Sequence, residues 1–167
     1  MAATNKRVVD TLNHLYKMCD AGERGFGTAA ENVSNRGLKV LLKNYAHQRR
    51  QFAAELRAEI ERLGGQPTER TSIRGIVHRG RMDIVATLTI GPENAENVVL
   101  KEAALGEQAA VNAYKRALET DLPAETRQLV ERQYGKQVRM ASNATHCFGW
   151  PPDDPEPSLT LFRRRIR

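Results

Sequence analysis

The sequence predicts an all-α protein, a four-helix bundle made of two antiparallel helix hairpins joined by one long connection. Three observations predict it. Apolar residues recur at steps of three and four along four long stretches. Pro falls between or beyond those stretches and not through them. Aromatic residues are only 5% of the chain, which disfavours a β-sandwich or a single-strand-binding sheet. A single domain of 167 residues buries roughly 70% of its unfolded surface and needs no disulfide or metal to fold.

The first helix is expected over residues 5–34, on the stripe Val8, Leu12, Leu15, Cys19, Phe26, Ala30 and Val33. The second covers residues 35–63, with Leu38, Leu42, Tyr45, Phe52, Leu56, Ile60 and Leu63 inside, and stops at Gly64-Gly65 with Pro67 beyond. The polar break Ser34-Asn35-Arg36-Gly37 makes a tight hairpin between them. Residues 64–92 form the long connection. A shorter helix capped by Thr71 or Ser72 is expected there, burying Ile73, Val77, Ile84 and Leu88. Residues 85–90 also read as a strand, which would have no partner. A third helix follows over 93–120, with Val98, Val99, Leu105, Ala109, Ala110, Ala113, Tyr114, Ala117 and Leu118 inside. Leu122-Pro123 turns the chain into a fourth helix over 124–145, carrying Leu129, Val130, Tyr134, Val138 and Ala141. Residues 1–147 are read as the bundle and 148–167 as a Pro-rich, Arg-ended tail. Two short links and one of nearly thirty residues give the ferritin-like arrangement, not the up-down-up-down bundle.

Several stretches then carry a resemblance. They are Asp20-Ala21-Gly22-Glu23-Arg24-Gly25-Phe26 with Ala29-Ala30-Glu31, Gln48 to Leu56, Leu63-Gly64-Gly65-Gln66-Pro67, His78-Arg79-Gly80, Gly106-Glu107-Gln108-Ala109 with Tyr114, Ala117-Leu118 and Leu122-Pro123. In this order the chain resembles, from about Asn5 to about Ser142, a family of small bacterial ferritin-like four-helix-bundle proteins of unknown function. Arg81 departs from the pattern, where an aromatic is expected, and the tail lies outside it. The resemblance implies the fold and brings no known activity.

Ferritin-like metal enzymes take one Glu from each of two helices and a Glu-x-x-His pair from each of the others. No Glu-x-x-His occurs here: His14, His47, His78 and His146 follow Thr11, Asn44, Gly75 and Asn143 at that spacing. Polar residues nevertheless fall on the apolar stripes. Glu23 fills the gap between Cys19 and Phe26, and Arg49 the gap between Tyr45 and Phe52. Antiparallel pairing about the turn near residue 35 sets them level, so the two are expected to pair. Glu102 and Glu107 on the third helix and Gln133 and Gln137 on the fourth complete an expected buried polar layer, with Glu107 level with Gln137. Three readings stand: a salt-bridge layer that sets helix register, an iron or manganese site drawing on Glu23, Glu31, His47, Glu102 and Glu107, or misphased surface charges. Gly22, Gly25 and Gly106 inside helices suggest close helix approach or room for a ligand. Glu55, Glu59 and Arg62 are expected as ordinary surface pairs.

The chain has 26 Lys+Arg against 20 Asp+Glu, a net charge of +6 with both signs interspersed. A mixed, solvated surface is expected, with nucleic-acid binding as the alternative. Two lone cysteines, Cys19 and Cys147, point to reduced thiols in a cytoplasmic protein, with a disulfide between them as the alternative, and neither a secretory signal nor a membrane span is read. In the tail, Leu161 and Phe162 beside Arg163, Arg164 and Arg165 are candidates for docking on a partner. The expected function is a non-catalytic structural or interaction bundle, a homo-oligomer without cofactor, stress-related by superfamily analogy. The alternatives are a di-metal carboxylate protein and a nucleic-acid binder.

Overall fold

The structure, a computed structural model, describes residues 2–68 and 92–148. It contains α1 (Ala2–Asn32), α2 (Arg36–Arg62), α3 (Pro92–Leu118) and α4 (Ala124–Phe148), with no strand among the described residues. The expected crossover helix, its strand alternative and the tail residues Leu161, Phe162, Arg163, Arg164 and Arg165 lie outside the described residues.

Each helix end has a local cause. Asn35 caps α2, its backbone extended and its Oδ1 accepting the Leu38 N–H at 3.0 Å. The other two amides of that turn are answered from α3, where Glu96 Oε1 accepts from Ser34 N (3.0 Å) and Asn35 N (2.7 Å). At the far end, Gly64 adopts φ +74°. Its N–H bonds to Glu61 O at 3.0 Å and that of Gly65 to Ile60 O at 2.9 Å, a Schellman closure that glycine permits without strain. The chain then folds back on α1. Asn13 donates to Gln66 O at 3.1 Å and accepts the Thr68 N–H at 2.7 Å. Gly65 lies so close to α1 that a Cβ there would stand 2.6 Å from a Val9 methyl. Between α3 and α4, Arg127 donates to Leu118 O (3.1 Å) and Thr120 O (3.0 Å), supplying carbonyls that the end of α3 leaves free.

The long-range contacts set the directions. Cys19 meets Tyr114 while the end of α1 meets Glu96, so α1 and α3 are antiparallel. Tyr45 bonds to Met140 O and Thr126 to Glu59, so α2 and α4 are antiparallel as well. Helices α1 and α4 therefore run one way and α2 and α3 the other, with α2 and α3 on a diagonal. The chain leaves α2 beside Asn13 at one end and enters α3 beside Asn35 at the other. One length-spanning connection between two hairpins is the ferritin-like topology.

Two apolar clusters fill the interior. One gathers residues such as Leu12, Leu15, Phe52, Leu56 and Val130. The other gathers Phe26, Val33, Leu42, Tyr45 and Met140. Each holds an edge-to-face aromatic pair, Phe52–Tyr114 with centroids 6.3 Å apart and Phe26–Tyr45 at 5.5 Å. The expected stripes need correction on two helices. Leu105 is 44% and Val138 39% exposed, and Ala109 is exposed. The buried face of α3 runs instead through Ala103, Glu107, Ala110, Tyr114 and Ala117. At 100° per residue, positions 105 and 109 fall on its opposite side. No helix among the described residues is long and apolar enough to cross a membrane.

Candidate functional site: a buried polar layer

Between the two apolar clusters lies a charged layer. Arg49 from α2 is 2% exposed and Glu107 from α3 is 0% exposed. Arg49 Nη2 donates to Glu107 Oε1 at 2.7 Å. Gln137 from α4 donates through Nε2 to the second carboxylate oxygen. The pair thus spans the diagonal of the bundle, and the neighbouring helix supplies an amide to the carboxylate, while Arg49 Nε and Nη1 and Gln137 Oε1 find no hydrogen-bond partner among the described residues. Helix α1 contributes a gap. A Cβ on Gly22 would stand 3.3 Å from Arg49 Cγ and 3.4 Å from Cδ and Nε. The arginine stem passes where α1 has no side chain. Gly25 and Gly106 do nothing comparable, since no atom lies within 4 Å of a Cβ added at either. The expectation of close helix approach holds at neither.

A second chain of hydrogen bonds leads outward from the same layer. Cys19 Sγ lies 3.3 Å from Tyr114 Oη, which donates to Gln133 Oε1 at 2.7 Å. The tyrosine proton is thereby committed, so the thiol is the donor to Tyr114. Gln133 Nε2 donates to Glu55 Oε2 at 2.7 Å, and Glu55 pairs with Arg132 at 3.1 Å on the surface. Burial pulls the Arg49 guanidinium down, but Glu107, Cys19 and Tyr114 together more than offset it, and it stays charged. Burial pushes the Cys19 thiol up, with Arg49 and Tyr114 offsetting only part of it. Burial, and Cys19 beside it, push the Tyr114 hydroxyl well up too. A buried thiol held in its protonated form is a poor nucleophile.

The structure brings Arg49, Glu107, Gln133 and Gln137 together and leaves out the other residues expected in the layer. Glu23 does not meet Arg49. It pairs with Arg50 at 2.6 Å on the α1–α2 edge, because Arg49 turns past Gly22 to the bundle centre. Glu102 is exposed, on the outward side of α3 relative to Glu107. Glu31 and His47 are also exposed, and His47 Nε2 contacts Gln51 Nε2 at 3.0 Å. Glu59 keeps its expected surface pair with Arg62 at 2.7 Å, whereas Glu55 also serves the interior through Gln133. Sequence reasoning missed Cys19 and Tyr114 as polar members, because both fit the apolar stripe. The signal was the tyrosine hydroxyl, which needs a partner once buried. The side chains of His146 and Cys147 lie outside the described residues.

An iron or manganese centre does not fit these residues. Of the candidate ligands Glu23, Glu31, His47, Glu102 and Glu107, only Glu107 enters the interior, and both its oxygens are taken. Among the described residues, no three of His, Cys, Asp and Glu stand together as a metal-holding group. The guanidinium beside Glu107 would also repel a cation.

Residues 7–120 match the family model described as a domain of unknown function, DUF2383, and the chain belongs to that family. No curated protein matches it. Among solved structures the chain is similar to a two-domain protein from Anabaena variabilis containing DJ-1/ThiJ/PfpI-like and ferritin-like domains. The TM-score is 0.68, with 12% identity over 92% of this chain. The chain spans only 40% of that protein's length. It is also similar to the conserved hypothetical protein Rv2844 from Mycobacterium tuberculosis, with a TM-score of 0.64 and 14% identity, covering 92% of this chain and 99% of that one. At these identities the likeness is one of fold, and the fold is ferritin-like.

The layer yields three expected outcomes. Arg49→Met strands a buried carboxylate and destabilises the bundle by about 3–5 kcal/mol. Adding Glu107→Leu restores part of that loss, and strict additivity of the two changes in urea unfolding would show that the pair is uncoupled. Gly25→Ala gains about 1 kcal/mol of helix propensity, while Gly22→Ala gains less or destabilises, because it presses on Arg49; equal gains at both would remove that contact from the account. Stability falls as pH rises past 9.0, the ordinary value for the Cys19 thiol, and further past 10.0, that for Tyr114. The sign follows because the folded state keeps protons that the unfolded state releases. Tyr114→Phe flattens the decline above pH 10.0 in a denaturation series, and an unchanged slope would contradict the assignment.

Proposed function

We propose, for this member of the DUF2383 family, a non-catalytic structural or interaction bundle whose interior charge is architectural. The observation that carries this reading is the 2.7 Å pair between Arg49 and Glu107, both essentially without solvent exposure, at the centre of a ferritin-like bundle. Ferritin-like metal enzymes gather carboxylates at the centre around cations. Here a side chain of the protein supplies the positive charge, and it is always protonated and rigidly forked.

Such a pair discriminates between registers. Sliding α2 against α3 by one helical step would part the charges and leave each buried without its partner, which costs several kcal/mol. Gln137 and Gly22 extend the same requirement to α4 and α1. The homo-oligomer reading is supported by apolar residues left on the outside of α3 and α4, Leu105 at 44% and Val138 at 39% exposed. Cytoplasmic placement rests on the two lone cysteines of the sequence. A stress-related role rests on superfamily analogy alone.

The experiment is the metal content of protein expressed in iron- and manganese-rich medium and purified without tag or chelator. Metal is expected at trace level, and Arg49→Met is expected to change stability and leave metal content where it was. Near-stoichiometric iron or manganese in the wild type would overturn the reading.

A further inference from the structure

The outer face of α2 carries a line of basic residues that the interior does not use. Arg36, Lys43, His47 and Arg50 are all exposed. Their spacings of seven, four and three residues place them within about 60° of one another around the helix. Lys39 flanks the line, half-buried. From Arg36 to Ala54, α2 contains no acidic residue, and the first is Glu55. At 1.5 Å per residue the line runs for about 21 Å.

The charges along it are largely unanswered. Glu23 matches Arg50 at 2.6 Å, but Arg36, Lys39 and Lys43 make no ion pair among the described residues. Glu96, the α3 acid beside the start of α2, is committed to backbone amides of Ser34 and Asn35. The placement also works against the helix itself. Arg36 and Lys39 sit in the first turn, which holds no acidic residue, at the positive end of the α2 dipole. Cations there destabilise a helix. Positive charge placed where it weakens the fold, and left without acid partners, is suited to an external anion.

The shape of the line selects the anion. The groups do not converge, so a single phosphate has no pocket to enter. A membrane surface would call for apolar side chains beside the charges, and Val40 is the one large exposed apolar residue on the described face of α2. A nucleic-acid duplex presents a rigid row of charge, one for about every 1.7 Å of axis. We infer that the outer face of α2, through Arg36, Lys39, Lys43 and His47, binds double-stranded DNA through its phosphates without regard to sequence. This stands on the outer surface and is independent of the reading of the buried layer.

The test uses the full chain and a fluorescent mixed-sequence duplex of about 30 base pairs, with anisotropy followed across a salt series. About three neutralised phosphates give a log–log salt slope near −3. Arg36→Gln/Lys39→Gln/Lys43→Gln is expected to weaken binding at low salt by roughly tenfold or more and to flatten the slope. Arg36 and Lys43 are exposed and Lys39 is half-buried, and a thermal melt that is unchanged or raised, as the dipole argument expects, checks that the fold is intact. Arg163→Gln/Arg164→Gln/Arg165→Gln is the companion variant and is expected to leave most of the slope. The inference is overturned by no binding at low salt, by an α2 variant that binds like wild type, or by loss of binding in the tail variant alone. Binding to phosphatidylserine vesicles without binding to the duplex would assign the face to a membrane surface instead.

Discussion

The buried pair of Arg49 and Glu107 is the constraint around which this bundle is organised. It joins the two helices that do not pack side by side, across the centre of the molecule. Two unpaired charges in that place would each cost several kcal/mol. The rest of the layer follows from meeting that demand. Gln137 supplies the second carboxylate oxygen, and Gly22 clears the path of the arginine stem. The apolar clusters above and below close the layer off from water, each stiffened by an edge-to-face aromatic pair.

The same topology elsewhere gathers carboxylates around metal ions. The difference here lies in which side chains reach the middle. Of the candidate ligands only Glu107 arrives, and a guanidinium arrives with it. Glu23, Glu31 and Glu102, which would have to converge for a metal centre, are drawn to a surface partner or to solvent. The fold is shared while the interior chemistry differs, which is why fold alone does not assign activity.

Charge is divided sharply within a single helix. On its inner face α2 carries one arginine, neutralised by Glu107 and locked in place. On its outer face it carries a row of basic groups with few acid partners. The interior arginine serves the fold, and the exterior ones sit where they weaken it slightly. Adjacent residues show the contrast at its closest: Arg49 is buried in the diagonal pair, while Arg50 is exposed and meets Glu23 at the edge.

The sequence by itself determined the four helices, their stops and the ferritin-like connection. These depend on local rules: apolar residues at steps of three and four, Asn35 as a cap, Gly64 at a positive φ, and the relative lengths of the links. Arg49, Glu107, Gln133 and Gln137 were legible as inward-facing for the same reason, since each falls in phase with its stripe. Partner choice was not legible. Glu23 lies within one residue of the predicted level yet meets Arg50, because the outcome turned on which arginine could pass Gly22. Glu102 and Leu105 were misjudged because α3 is rich in alanine, and several faces of such a helix look equally fit for burial. Cys19 and Tyr114 read as core, and only the packing of α1 against α3 showed them bonded to each other. Periodicity reports which side of a helix is inside. Which groups meet there depends on helix rotation and on the length of each side chain, and those are set only when all four helices pack together.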